Sequence, residues 1–359
     1  MLIQTLAIYN EINSHSNQLE AVVYIGRIIC GLSTGMASYV VPLYSNHYSV
    51  REMSPSEIYA RLGSINQFMI TFGIFLAYCS VFIVQNNNHD LVFIIFLIPI
   101  VVSTVQIVVF STVFSAETPT FLMSKNRMDE AAGIMNELYF HNASATGSDD
   151  IFGSQLSIGY KAVGYKDLFT AKYVNNFKMG CILSILQQLT GINVLIYASS
   201  YYMRNINGLD KYLSTCIIGF VNCMSGSFSV FLLKDRYKIF LQIGALGMSG
   251  CYLMILGFVF TEFEYFDQLY LTLVLLFIIF FEFSIGPIMW IYCADVLTDK
   301  GISLTTALNW VGALIIGGIF SISEIQDQLK YEKSKEIGNL SFFFMNLFFM
   351  SSCLIVNAI

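Results

Sequence analysis

Five side chains inside apolar stretches of this 359-residue chain could recognise a small polar molecule. Gln187 and Gln188 are adjacent, and Asn193 follows within two helical turns, so the three amides can line one lumen. Glu282 is the only carboxylate well inside an apolar stretch, and Trp290 follows eight residues later. Amides and carboxylates hydrogen-bond hydroxyl groups, and an indole ring can stack on a flat ligand face. The pattern therefore indicates non-covalent recognition.

Polar side chains inside membrane spans are costly, so they are candidates for function by default. The alternative is that these amides hydrogen-bond neighbouring helices and hold them together. Bond-breaking chemistry is not indicated, because the chain has no Walker A loop, no H-E-x-x-H and no nucleophile motif. The four histidines (15, 47, 89 and 141) are expected in loops or in the polar N-terminal region. We therefore expect neither an enzyme nor a cofactor or metal site.

The composition is that of a membrane protein with several spans. Apolar residues make up 56% of the chain, charged residues 12%, and the mean hydropathy is +0.65. A soluble domain would carry roughly a quarter of its residues as charged groups, so a nucleic-acid binder and an ordinary cytosolic enzyme are excluded. All eight cysteines fall in apolar stretches, which indicates neither a disulfide framework nor a metal site.

Nine apolar runs are long enough to cross a bilayer, which takes about 20 residues. They lie near 20–44, 62–85, 91–114, 179–203, 212–233, 239–260, 268–297, 302–322 and 340–359. A long polar segment, 115–178, separates the third run from the fourth. In the run near 268–297, Gly286 and Pro287 are expected to break the helix and form a hinge.

The distribution of Lys and Arg predicts the orientation. Twelve of these residues lie in 115–178 and in the loops on its side, against five on the other side. The positive-inside rule then places 115–178 in the cytosol. The predicted organisation is an incomplete N-terminal transmembrane bundle over 1–114, a cytosolic linker with short helices over 115–178, and a C-terminal six-helix transmembrane bundle over 179–359.

Six groups of residues carry a family resemblance. They are GRIICGLSTGMASYVVPLY (26–44), REMSP (51–55) with LGSINQFMITFGIFLAY (62–78), AETPTFLMSKNRMDEA (116–131), QQLTGINVLIYASSYY (187–202), FEFSIGPIMWIYCAD (281–295) and LNW (308–310). In this order and spacing the chain resembles the sugar porter family of the major facilitator superfamily, which holds glucose facilitators and sugar/proton symporters. The resemblance implies an all-α polytopic membrane protein built of helical bundles. It also implies that roughly two and a half helices preceding the first span are missing.

The resemblance assigns roles to the buried polar residues. It implies that the following residues contact the sugar: Gln67, Gln187, Gln188, Asn193, Asn222, Glu282 and Trp290. It places Tyr197 in an outer gate. For Gln67, helix packing is nearly as good an explanation. Asn309 and Trp310 are interpreted as supports of the tenth helix of the family rather than as sugar contacts, and Ala313 replaces a polar residue that the family often has.

A second set of residues matches the salt bridges that gate the family at the cytosolic helix ends: Glu52, Asp235, Arg236, Asp295 and Lys300. The surrounding signatures are altered, since "DRxGRR" reads DRYKIF and "PESPR" reads AETPT. We therefore expect a gate that departs from the family more than the sugar site does. Arg27 lies within a span and needs a counter-charge. In proton-coupled members the matching Arg pairs with an acid on the missing first helix.

The sequence thus favours transport of a hexose by alternating access, either facilitative or proton-coupled. The alternative is a sugar-binding sensor or a transporter remnant that moves nothing. The expected partners are a hexose and the lipid bilayer, with protons left open and nucleic acid excluded. The expected location is the plasma membrane.

Overall fold

The computed structural model describes residues 20–48, 56–87, 92–113, 117–135, 137, 163–193, 195–196, 211–233, 237–259 and 265–329. The helices in these ranges are α1 (Glu20–Tyr48), α2 (Ser56–Asn87), α3 (Val92–Thr112), α4 (Pro119–Ser124), α5 (Met128–Met135), α6 (Val174–Leu189), α7 (Lys211–Leu232), α8 (Tyr237–Val259), α9 (Phe266–Glu282), α10 (Ile285–Val296) and α11 (Asp299–Leu329). A 3₁₀ turn spans Lys166–Phe169. The described residues contain no β-strand, which confirms the predicted all-α class.

The apolar runs of the sequence coincide with these helices. Six stretches of the described residues are long and apolar enough to cross a membrane, and Leu97–Thr112 forms a shorter apolar helix. The run near 179–203 begins as α6, which is 16 residues long. The last predicted run, 340–359, lies outside the described residues.

The predicted span near 268–297 is two helices rather than one. Helix α9 ends at Glu282, residues Phe283 and Ser284 form a turn, and α10 begins at Ile285. The break comes just before Gly286 and Pro287, the residues from which a hinge was predicted. Pro287 lies in the first turn of α10, where its missing N–H has no partner within the helix to lose.

Helix α6 is also interrupted. It ends at Leu189, and Gly191 adopts a φ of 77°, a left-handed conformation that favours glycine. Helical conformation resumes at Ile192. The Tyr252 hydroxyl of α8 donates to the carbonyl of Thr190 at 2.9 Å, so the break is fixed by a neighbouring helix.

Helix α2 joins the N-terminal helices to the C-terminal ones. It packs along both α7 and α10. A Cβ atom added at Gly63 would lie 2.6 Å from Cγ1 of Ile291, and one at Gly219 would lie 2.6 Å from Cδ2 of Tyr78. The helices are therefore in contact at their backbones, which small residues permit.

Apolar side chains lie on both the inside and the outside of the molecule. The largest buried cluster joins α6, α8 and α9 around Phe277 and Ile278. On α1 and α3, large apolar side chains such as Leu32 and Ile107 are exposed. An apolar outer surface is what helices in contact with lipid require.

Candidate functional site

Four amide side chains of α6, α11 and the turn after α6 form one hydrogen-bonded group. Nδ2 of Asn309 donates to Oε1 of Gln187 at 2.7 Å, and Nε2 of Gln188 donates to Oδ1 of Asn309 at 3.0 Å. Nδ2 of Asn193 donates to Oε1 of Gln188 at 2.6 Å. Nε2 of Gln187 donates to the carbonyl of Gly286 in α10 at 2.9 Å. The group therefore joins the break in α6 to the start of α10.

Burial makes these hydrogen bonds consequential. Gln187, Gln188 and Asn309 each expose only 5–6% of their surface, and Asn193 is partly buried. An unpaired polar group in such a place costs about 1–3 kcal/mol. The amides are thus fixed by each other and by backbone carbonyls.

A second polar contact joins the N-terminal and C-terminal helices. Nε2 of Gln67 in α2 lies 3.0 Å and 3.2 Å from the two carboxylate oxygens of Glu282, at the end of α9. Glu282 is 1% exposed. A Cβ atom added at Gly226 of α7 would lie 2.8 Å from Oγ1 of Thr71 and 3.4 Å from Oε2 of Glu282. Three segments, α2, α7 and α9, therefore meet at the Glu282 carboxylate.

Asn222 lies one helical turn before Gly226 on α7, and is 3% exposed. Among the described residues its Oδ1 atom has no hydrogen-bond partner, and the same holds for Oγ of Ser64 in α2. Buried polar atoms in proteins are usually bonded, so each exception calls for an explanation. A ligand hydroxyl would supply a partner for Asn222.

Trp290 is largely enclosed by apolar side chains. It is 7% exposed and belongs to a buried cluster with Leu183, Met289 and Cys293. Tyr39 and Leu43 of α1 pack against the same cluster. This cluster therefore lies where α1 meets α10, toward the helix ends near Thr118.

That end of the helices holds a contact that the sequence did not predict. Nε2 of His47 lies 3.2 Å from Oδ1 of Asp299 at the start of α11, and Nδ1 lies 3.2 Å from Oγ1 of Thr118. Oγ1 of Thr120 donates to the carbonyl of His47 at 3.2 Å. His47 is in the last turn of α1, so the expectation that every histidine lies in a loop or in the N-terminal region is wrong.

The last turn of α1, the start of α11, Thr118 and Tyr165 thus lie at one end of the helices. Asp295 is partly buried near the end of α10, and Nζ of Lys300 lies 5.1 Å from the ring centre of Tyr165. Burial and a hydrogen bond with Tyr44 raise the pKa of Tyr48, so its hydroxyl stays neutral beside His47. Four other predicted gate residues lie outside the described residues: Glu52, Tyr197, Asp235 and Arg236.

Two residues make hydrogen bonds that the sequence did not predict. Asn309 bonds to Gln187 and Gln188 of α6, and Nε1 of Trp310 donates to Oγ of Ser38 in α1 at 2.8 Å. The rule that singled out Gln187, an amide inside an apolar run, applies equally to Asn309. Arg27, the cation within the first span, is exposed on α1.

The chain matches a family model described as "Sugar (and other) transporter" over residues 3–358. The protein belongs to this family. Membership accounts for two interrupted helices with polar side chains beside the breaks, a common arrangement in transporters. It also places the protein among multi-pass membrane proteins.

Curated relatives in this family carry transporter names. The chain is 27% identical over 317 residues to the galactose-proton symporter of Escherichia coli (strain K12), covering 83% of this chain and 64% of the relative. It is 28% identical over 322 residues to the facilitated trehalose transporter Tret1 of Bombyx mori, covering 83% and 59%. The chain thus spans less than two thirds of the length of these relatives.

The fold is similar to that of the proton:xylose symporter XylE of E. coli, solved with 6-bromo-6-deoxy-D-glucose. The TM-score is 0.77 at 23% identity, over 98% of this chain and 76% of XylE. This likeness shows that the protein has the major facilitator fold.

Proposed function

We propose that this protein carries a hexose across a membrane by alternating access. The observation that carries the proposal is the contact of Gln67 with Glu282, a buried amide–carboxylate pair that joins the two halves of the molecule. Sugar hydroxyls can both donate and accept hydrogen bonds, so they can replace each partner of this pair. Relatives named for galactose and trehalose transport support a sugar as substrate.

In the proposed site the sugar lies among the predicted contact residues and takes over bonds that now link helices. Glu282 accepts a hydroxyl hydrogen, and so does Oδ1 of Asn222. Gln67 is then free to bond the sugar from the N-terminal side. Because the sugar bonds to both halves, it can stabilise the closed state through which alternating access passes.

Trp290 supplies an apolar surface beside this site. It is packed in a cluster with Leu183, Tyr39 and Leu43 and is 7% exposed, so only a small part of its surface is open to a sugar. Tyr197 is proposed as part of the outer gate. At the other end the 115–178 segment is proposed to face the cytosol, and the membrane is proposed to be the plasma membrane.

The mode of energy coupling divides the relatives, since one is named a proton symporter and another a facilitated transporter. The two modes predict different results in liposomes. A facilitator equilibrates sugar without a proton gradient, whereas a symporter concentrates sugar when the outside is acidic.

The test is uptake of labelled glucose, fructose and galactose by the protein in liposomes or in a host without hexose transporters. We expect uptake above the vector background. Gln188→Ala should weaken it about tenfold or less, because one or two hydrogen bonds of about 0.5–1.5 kcal/mol are lost. The matched control is Asn175→Ala, an exposed amide on the same helix, which should transport like the parent.

Two results would contradict the proposal. Sugar binding without uptake by correctly inserted protein would favour the sensor or remnant alternative. Parent-like binding by both Gln188→Ala and Trp290→Ala would mean that these side chains only pack helices together.

A further inference from the structure

The hydrogen bonds of the amide group run in one direction. Asn193 donates to Gln188, Gln188 donates to Asn309, and Asn309 donates to Gln187. The series ends where Gln187 donates to the carbonyl of Gly286. Every member donates through its nitrogen, and every member after Asn193 also accepts through its oxygen, so we name this series the amide chain.

Two backbone carbonyls fix that direction. The carbonyl of Gly286 accepts from Gln187 at 2.9 Å, and the carbonyl of Ser184 accepts from Nδ2 of Asn309 at 3.2 Å. A carbonyl cannot donate. Rotating either amide by half a turn would place two oxygens face to face inside the protein, where repulsion is little screened.

Asn309 differs from its neighbours in how many of its amide hydrogens are bonded. An amide nitrogen carries two hydrogens, and Asn309 uses both, one for Ser184 and one for Gln187. Its oxygen accepts from Gln188. The amide chain uses one hydrogen of each glutamine, and it leaves the carbonyl oxygen of Asn193 at its open end. Nε2 of Gln187 also donates to the carbonyl of Ile285, but at 3.4 Å this is a long contact that a sugar hydroxyl can replace.

We propose that Asn309 is a positioning residue that orients Gln187 and Gln188 so that each presents an N–H to a sugar hydroxyl, while Asn193 presents its carbonyl oxygen. This rests on the proposed hexose function. It makes the hydroxyls near the glutamines acceptors and the hydroxyl near Asn193 a donor. Asn309 itself makes no bond to the sugar.

Deoxy and fluorodeoxy hexoses test this assignment, because fluorine can accept a hydrogen bond but not donate one. Where a glutamine N–H points at the sugar, the parent should bind the fluoro sugar about two- to tenfold more tightly than the deoxy sugar. Asn309→Asp keeps the shape but removes the N–H donors, so Gln187 must turn its own N–H toward residue 309. In Asn309→Asp, the tighter binding of the fluoro sugar than of the deoxy sugar should then disappear. It should disappear at the same ring positions at which Gln187→Ala and Gln188→Ala abolish it.

Ser227→Ala on α7 is the control, since its hydroxyl bonds to the carbonyl of Met224 in its own helix. It should keep the parental preference. The proposal is overturned if Asn309→Asp weakens every analogue equally with the preference intact, which is a purely structural effect. It is also overturned if the changed ring position is one that neither glutamine variant affects, which would make Asn309 a direct ligand.

A second measurement needs no sugar. In a double-mutant cycle of melting temperature, Gln188→Leu and Asn309→Leu should give shifts that do not add, whereas Gln188→Leu and Ser227→Ala should add. Additive shifts for the first pair would overturn the amide chain. This measurement decides the question even if Asn309→Asp fails to fold. If the parent binds no hexose while the first pair is coupled, the proposed function is wrong but the amide chain stands.

Discussion

Two polar regions join the halves of this molecule, and they are built differently. The region around the helix breaks uses the buried pair of Gln67 and Glu282, each 6% exposed or less. The region at the end of the helices near 115–178 uses His47 and Asp299, whose side chains are 14% and 33% exposed.

The difference follows from the cost of leaving a polar group unpaired. In the interior, a missing partner costs about 1–3 kcal/mol, so a change of one residue demands a change of its neighbours. At the water-exposed end, an ion pair contributes only about 0–1 kcal/mol. A His–Asp contact can therefore replace another pair there at little cost.

The largest expected effect is at Glu282, the buried acceptor of Gln67. Glu282→Ala removes this acceptor and leaves the amide of Gln67 buried without its partner. An unpaired buried polar group costs about 1–3 kcal/mol, so hexose affinity should fall roughly five- to hundredfold. Equilibrium binding to purified protein measures the effect.

Glu282→Gln keeps an acceptor oxygen and should cost tenfold or less by the same reasoning. His47→Gln serves as the comparison from the exposed region and should bind within about twofold of the parent. If Glu282→Ala binds hexose as the parent does, the buried region is not the binding site.

The next effect concerns the contact of α2 with α10. A Cβ atom at Gly63 would lie 2.9 Å from Cα of Ile291, so Gly63→Ala forces the two helices apart. Adding a methyl group to a packed helix contact costs about 1–3 kcal/mol. A cost of about 1.4 kcal/mol lowers the ratio of closed to open states tenfold. We expect uptake to fall by about that factor while hexose binding is less affected.

Gly73→Ala is the matched control on the same helix, because a Cβ atom there meets nothing within 4 Å. It should transport normally. Equal uptake by the two variants would mean that close approach of α2 and α10 is not part of the transport cycle.

Local patterns in the sequence were enough to locate most helices and to single out polar residues of the buried region. An apolar run of about 20 residues predicts a span by its length alone, which is why α1, α2 and α11 were located. Gln187, Gln188 and Glu282 stood out because polar residues in such runs are rare. The hinge was placed within a few residues of the break because Pro287 cannot donate a helical hydrogen bond.

Contacts between distant residues could not be predicted in the same way. His47 and Asp299 are 252 positions apart, and Asn309 and Gln187 are 122 apart. Which helix faces Asn309 depends on the packing of α6 against α11 and α10, and no local pattern specifies this. For the same reason the bond of Trp310 to Ser38 was not predicted.

A smaller effect is expected at the exposed region, from the contact of His47 with Asp299. Both side chains are partly exposed to water, where a polar contact contributes only about 0–1 kcal/mol. Asp299→Ala removes the acceptor and loosens the contact between α1 and α11, so uptake should change by no more than about fivefold.

Uptake into liposomes measures this effect. His47→Gln should give a change of similar size, and hexose affinity should be unchanged in both variants. A loss of uptake as large as that of Gly63→Ala would contradict a minor role for the pair.

The smallest effect is expected at Arg127 and Glu130, a pair in and beside α5 that is fully exposed to water. Nε of Arg127 donates to Oε1 of Glu130 at 2.7 Å, and this bond lowers the pKa of Glu130. Because the pKa is lowered on folding, the pair stabilises α5 at neutral pH, and the contribution is lost as acid protonates Glu130. Water screens the pair throughout, so Arg127→Ala should match the parent in uptake and melting temperature at pH 7. A loss as large as that of His47→Gln would show that exposure to water does not explain the weakness of contacts at this end.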